Sequence, residues 1–178
     1  MSEFVPVLET TRLRLRGWQL DDFELLASFL ADDEANRFRG GSVDRKTAFT
    51  TLEAFAGGWL LRDYGVFAVE TLEEEELVGW AGLWHPVKLE EPELCWSIFP
   101  AHAGQGLAPE AAGAALVWWT QMEHQPAPFS MTHPDNKASQ RVAEKLGAER
   151  GEDFLFEGRP SWFYRHKVPD EAHWERLS

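Results

Sequence analysis

The stretch Glu93-Leu94-Cys95-Trp96-Ser97-Ile98-Phe99-Pro100-Ala101-His102-Ala103-Gly104-Gln105-Gly106-Leu107-Ala108-Pro109-Glu110-Ala111-Ala112 decides the fold. Its first seven residues read as a strand, Pro100 breaks it, and Ala103 to Ala108 open a helix. Gly104 and Gly106, separated by one residue, let the main chain turn its N–H groups inward where a Cβ would obstruct a phosphate. A helix starting at the same point adds the positive end of its dipole. Pro109 suits the first helical turn, where its missing N–H has no intrahelical acceptor to lose. The backbone is suited to holding an anion, although Gly-x-Gly alone also fits an ordinary loop-to-helix turn.

Outward from this stretch, 178 residues fit one domain over 1–178, with a core over about 8–168 and a polar tail over 169–178. The 44% apolar content excludes a disordered chain despite the net charge of −13. That charge repels nucleic acid and anionic membranes and attracts cationic solutes, so basic amines or basic peptides are the expected partners. A lone cysteine, Cys95, excludes an intrachain disulfide and a cysteine-based zinc cluster, and no metal site is expected. The first residues carry no basic segment with an apolar core, and no run of eighteen apolar residues occurs, so a cytoplasmic protein is expected.

Thr11 to Arg16 alternates with period two, giving a strand whose arginines face water. Phe23, Leu26, Ala27 and Leu30 repeat at helical spacing, as do Ala48, Leu52, Phe55 and Trp59 after Asp44. Between them, Arg39 to Ser42 reads as a loop. Strands over 64–70 and 77–84 flank the acidic turn Glu73 to Glu76, and the central helix runs from about Leu107 to His124 on a stripe of Leu107, Ala111, Ala115, Trp118 and Met122. A short strand, Phe129 to Thr132, precedes a helix with Ala138, Val142 and Leu146 inward and Gly147 as its stop. Phe154 to Glu157 and Ser161 to Val168 form a last hairpin. The order is β-α-α-β-β-β-α-β-α-β-β, an α/β (α+β) pattern of about seven strands and four helices with a mostly antiparallel sheet.

Ile98 to Ala111 resembles the acyl-CoA motif of the GNAT N-acetyltransferase superfamily, Q/R-x-x-G-x-G/A, with Gly106 and Ala108 on its last two fixed positions. Pro134-Asp135-Asn136-Lys137-Ala138-Ser139-Gln140-Arg141-Val142-Ala143-Glu144-Lys145-Leu146-Gly147 resembles the second signature of the Rim-type branch, which acetylates protein N-termini and related amines. The likeness runs from Leu8-Glu9-Thr10-Thr11-Arg12-Leu13 to the closing hairpin. It implies a GNAT fold splayed between strands four and five, acetyl-CoA as acyl donor, direct transfer to an amine-bearing acceptor, and a homodimer as an option. Two departures stand out: Ala103 occupies the Q/R position, and Ala143 replaces the family's common helix tyrosine.

On that resemblance, the N–H groups of Ala103, Gly104, Gln105, Gly106, Leu107 and Ala108 hold the pyrophosphate, and Ser97, Ile98 and Phe99 lend main-chain groups to the pantetheine and thioester. Lys137, Arg141 and Lys145, four apart, form a basic ridge on one helix side that also fits a solvated face. Glu93 shares a strand face with Cys95 and Ser97 and is the leading general base, with His133 second; a surface carboxylate at a strand end is the simpler alternative. Ser139 matches the hydroxyl that Rim-type enzymes place near the sulfur, against a residue bonded to its own backbone. Asn136 bridges cofactor and helix start, or simply caps the helix. Cys95 offers a covalent route that the family pattern does not use. Trp59, Trp84, Trp96 and Trp162 are candidate walls of a cation-binding cage. A non-catalytic acyl-CoA-binding sensor or scaffold is the alternative function, and the acceptor pocket, expected from the Arg39 to Asp44 loop, the second helix and the final hairpin, carries no readable motif.

Overall fold

A computed structural model describes residues 5–122 and 125–167. The expected tail 169–178 and the far end of the central helix at His124 lie outside the described residues. Eight strands form one sheet in the order β1-β2-β3-β4-β5-β6-β8-β7, with β1 Leu8–Glu9, β2 Leu13–Arg16, β3 Val66–Thr71, β4 Leu77–Trp84, β5 Glu93–Ile98, β6 Phe129–Thr132, β7 Glu149–Phe156 and β8 Arg159–Arg165. Five helices accompany them: α1 Phe23–Leu30, α2 Asp33–Asn36, α3 Arg45–Arg62, α4 Leu107–Gln121 and α5 Lys137–Lys145. Neither the two-residue β1 nor the single-turn α2 is long enough to show a hydrophobic period, which is why the sequence suggests seven strands and four helices.

Two apolar layers sandwich the sheet. Leu26 and Phe29 of α1 and Leu52 and Phe55 of α3 pack with Val66, Ala68, Leu77 and Trp80 on one face. Leu107, Ala111, Ala112, Ala115, Leu116 and Trp119 of α4 pack with Phe67, Val69, Val78, Leu83 and Leu94 on the other. Burying each of the larger side chains contributes about 1.5–3 kcal/mol. The alanines of α4 let its backbone approach the sheet, and Trp119, not Trp118, takes the core position, with its indole N–H donating to the Pro126 carbonyl at 2.9 Å. Val69 pairs with Gly79 and Glu70 with Leu77, so Val78 is an extra residue in β4. That bulge inverts the side-chain parity: Leu77 and Trp80 join the α1/α3 layer, while Val78, Ala81 and Leu83 join the α4 layer.

Helix α3 begins where Asp44 accepts from the Thr47 N–H at 2.7 Å and ends at Asp63 in the left-handed region. Helix α5 buries Gln140, Ala143 and Leu146, while Ala138, expected inward, is exposed. The arginines of β2 do not simply face water: Arg14 and Arg16 both bond Glu70, and Arg16 is further paired with Asp22 at 2.9 Å. The Asp22 and Glu70 bonds hold the less exposed Arg16 guanidinium well above its ordinary pKa.

All neighbouring strands are antiparallel except β5 and β6, which run parallel and share a single register pair, Glu93 with Phe129. Beyond that pair the strands part. β5 is held firmly on its other side by six pairs to β4. A Cβ added to Gly79 would overlap the Ser97 carbonyl oxygen in that ladder, where φ is +155° and both neighbours are backbone. Gly79→Ala is therefore expected to destabilise the protein by about 3 kcal/mol or more, read from the midpoint of a denaturant titration.

Candidate active site

The parted strands open a groove of about 850 Å³ that runs from the start of α4 to the loop after α2. At its fork two side chains replace the missing ladder. Glu93 Oε1 accepts from the Met131 N–H at 3.1 Å, two residues past the last paired position. Ser130 Oγ donates to the Leu94 carbonyl at 2.5 Å and accepts from His166 Nε2 at 2.7 Å. Burial, with Arg165 nearby, holds His166 down to about 4, so the ring is neutral and fixed with its proton on Nε2. The fork thus leaves these first unpaired groups satisfied.

Glu93 lies deep in the protein, and its limited exposure is into the groove. Desolvation raises its carboxyl to about 7, against the downward pull of the Met131 N–H. Burial and the nearby Glu93 push the Cys95 thiol far up, which keeps it un-ionised and unsuited to nucleophilic attack. His133 also lines the groove, stacked on Phe38 with centroids 5.1 Å apart. Its Nδ1 accepts from the Asp135 N–H at 3.1 Å and lies 3.8 Å from the Asp135 carboxylate.

At the other end, Gly104 and Gly106 both have φ of +80°. The Ala103 N–H is used by Pro100, whereas those of Gly104, Gln105 and Gly106 donate to no protein acceptor among the described residues. A brace holds the turn: Arg12 donates to the Gln105 carbonyl at 2.9 Å and to Glu110 Oε2 at 2.5 and 2.8 Å, and Glu110, in the first turn of α4, also accepts from the Thr10 hydroxyl and the Arg12 amide. Ser97, Ile98, Ala103, Gly104, Gly106, Leu107, Ala108, Asn136, Ser139 and Lys145 line the groove. Phe99 and Gln105 do not. Phe99 is stacked on Phe29 in the core and its N–H donates to Val78, and Gln105 has its carbonyl turned to Arg12.

Asn136 caps α5, its Oδ1 accepting from the Ser139 N–H at 3.1 Å. The Ser139 hydroxyl has no protein partner among the described residues and is not folded back onto its helix. Arg141 and Lys145 line the groove, but Lys137 bonds Pro134 and Gln140 and lies 4.8 Å from the Trp162 ring centroid, so the three do not form one ridge. Of the candidate aromatic walls, Trp84 and Trp96 line the groove, Trp59 is core and Trp162 is covered by Lys137 and Arg150. Trp80 lines it as well and was not among them.

Two residues escape a sequence reading, as do the contacts of a third. Arg12 reads as an outward strand residue and Glu110 as a helix-start carboxylate, with nothing to pair them across 98 positions. Arg39 reads as part of a loop, yet its guanidinium lies 4.7 Å from the Trp80 ring centroid and 5.0 Å from that of Phe29, and donates to Ser97 Oγ at 3.1 Å. Although much of the side chain opens to the groove, desolvation lowers Arg39 to about 10, still charged at neutral pH.

A forked sheet with a glycine turn leading into a helix defines an acyl-CoA transferase architecture. The sequence profile of the acetyltransferase (GNAT) domain matches residues 12–149, and the chain belongs to that family. It is 26% identical over 149 residues, 82% of this chain and 84% of the other, to the uncharacterized N-acetyltransferase YoaA of Bacillus subtilis (strain 168). An acetyltransferase from Agrobacterium tumefaciens str. C58 superposes with a TM-score of 0.85 at 27% identity, covering 94% of this chain and 97% of that one. The ribosomal L7/L12 α-N-protein acetyltransferase RimL, in complex with coenzyme A, shares the fold with a TM-score of 0.73 at 14% identity over 93% and 100% of the two chains. The protein is an acyltransferase, and acetyl-CoA is its acyl donor. Among the described residues, no helix is long and apolar enough to cross a membrane.

The raised Glu93 carboxyl has a thermodynamic signature. Its contribution is fully present below the ordinary value of 4.5 and is lost as pH rises toward about 7, because the unfolded carboxyl ionises first. Across that window wild type is expected to lose about 3 kcal/mol more than Glu93→Gln, checked by denaturant unfolding of both proteins near pH 4.5 and near pH 7.

Proposed function

We propose that this protein transfers an acetyl group from acetyl-CoA directly to a primary amine, a small molecule or a protein N-terminus, with Glu93 as general base. The observation that carries the reading is Glu93 itself: a desolvated carboxyl at the fork of the parted strands, held near 7 and aimed into the groove. A base poised there takes a proton from an ammonium at neutral pH far better than an ordinary glutamate.

The groove fits the donor. The N–H groups of Gly104 and Gly106, which donate to no protein acceptor among the described residues, with those of Leu107 and Ala108 in the first turn of α4, suit a pyrophosphate, and Arg141 and Lys145 add positive charge. The edge of β5 beyond Glu93, with no strand beside it, supplies main-chain partners for the pantetheine amides at Ser97 and Ile98. Bound there, acetyl-CoA supplies an activated thioester carbonyl. Glu93 accepts the ammonium proton, directly or through one water, as the amine nitrogen bonds the carbonyl carbon and the carbon–sulfur bond breaks. The second proton released by the nitrogen passes to the departing sulfur; the Ser139 hydroxyl, without a protein partner among the described residues, orients that sulfur or relays the proton to it, and a thiolate needs little help because thiols ionise near 8.5. Asn136 holds the start of α5 so that Ser139 faces the groove. Cys95 takes no part.

Free thiol release from acetyl-CoA in the presence of an amine panel tests the reaction. With an accepted amine, kcat/KM is expected to fall below about pH 7 with a single proton in wild type; Glu93→Gln removes that limb and lowers kcat roughly 100-fold or more. An unaltered pH–rate profile would transfer the role to His133 or to solvent. Separately, Gly106→Val places a branched side chain at a φ of +80° and in the phosphate's path, so calorimetry is expected to show acetyl-CoA binding lost.

A further inference from the structure

The groove is lined by charge of a sign opposite to that of the chain as a whole. The chain carries a net charge of −13, yet among the described residues the groove is lined by Arg37, Arg39, Arg141, Lys145 and Arg159 against one carboxylate, Glu93. Arg141 and Lys145 lie on the donor side with α5. Of the other three, Arg37 pairs with Glu34 and Arg159 with Glu157. Among the described residues Arg39 has no carboxylate partner, and its guanidinium makes a single hydrogen bond, to Ser97 Oγ.

An arginine laid against Trp80 and Phe29 has its planar fork fixed in advance, with most of its N–H donors unused. Such a group, partly desolvated, favours an anion, and a carboxylate matches its two-pronged geometry. Ser97, which Arg39 contacts, lies on the same strand face as Glu93 and four residues beyond it, about 13 Å along the strand. The two charges therefore stand at different points of one acceptor channel, the carboxyl for a cation and the guanidinium for an anion.

We infer that the acceptor is an amine that carries its own carboxylate, separated from the nitrogen by a spacer, and that Arg39 binds that carboxylate. This rests on the proposed amine acetylation and narrows its substrate class. The global negative field attracts the ammonium end, and Arg39 selects the molecule that brings an anion with it.

The test compares β-alanine and γ-aminobutyrate with their carboxamides, in wild type, Arg39→Met and Arg39→Lys. Methionine keeps an apolar cover over Trp80 and Phe29, so folding is preserved, and a melting curve checks it. In wild type the amino acids are expected to exceed their amides in kcat/KM by roughly 10- to 100-fold. Arg39→Met should collapse that ratio through KM for the amino acids, with Arg39→Lys between the two and acetyl-CoA affinity unchanged. Equal use of acid and amide by wild type overturns the inference while leaving amine acetylation intact, as does an Arg39→Met defect confined to acetyl-CoA affinity. If no amine releases thiol, the acetylation reading itself fails; calorimetry of β-alanine on the CoA-loaded protein then decides the anion site, Arg39-dependent binding sustaining it and no binding rejecting it.

Discussion

The parting of β5 from β6 after a single residue pair is the constraint on which the rest depends. An open seam in a sheet leaves backbone donors and acceptors without partners, a cost that grows with each buried orphan. Here Glu93 takes the Met131 N–H and Ser130 takes the Leu94 carbonyl, with His166 fixing the hydroxyl. The side chain that satisfies the seam is thereby placed where the chemistry is proposed to occur. Structural repair and the proposed proton transfer fall to one carboxyl, whose burial at the fork is also what lifts its pKa.

Electrostatics divides along the same seam. The acidic surface opposes an anionic donor at long range, and the proposed attraction comes from short-range elements that the surface charge does not cancel: N–H groups at the glycine turn without an acceptor among the described residues, a helix dipole, and the cations of α5. The glycine turn is in turn held by the Arg12–Glu110 brace, in which a nearly buried carboxylate collects bonds from Thr10 and Arg12. That brace ties the first strands to the start of α4 and keeps the Gln105 carbonyl out of the groove.

Much of the fold was legible because its signals are local. The periods of α1, α3 and α4, the alternation of β2 and β5, and the glycine–proline punctuation before α4 lie within a few residues of each other. β7 was seen only from Phe154 onward because Glu149 to Asp153 form an exposed, charged stretch that no hydrophobic period marks. Phe99 followed the strand in sequence but not in space: its N–H closes on Val78 and its ring joins the core. Lys137 and Arg141 share a spacing, yet Trp162 draws the first away.

The sequence by itself determined the kind of molecule: a glycine turn opening a helix after a strand, a second helix signature with Asn136 and Ser139, and a carboxylate on the polar face of the central strand, all set by spacing along the chain. Tertiary structure alone decided which charges meet. Arg12 finds Glu110 and Arg39 finds Ser97 across dozens of positions, and the pKa of Glu93 depends on desolvation by neighbours distant in sequence. The physical reason is range: dihedral preference and periodicity act over a turn or a strand, whereas burial and charge pairing are properties of the packed whole.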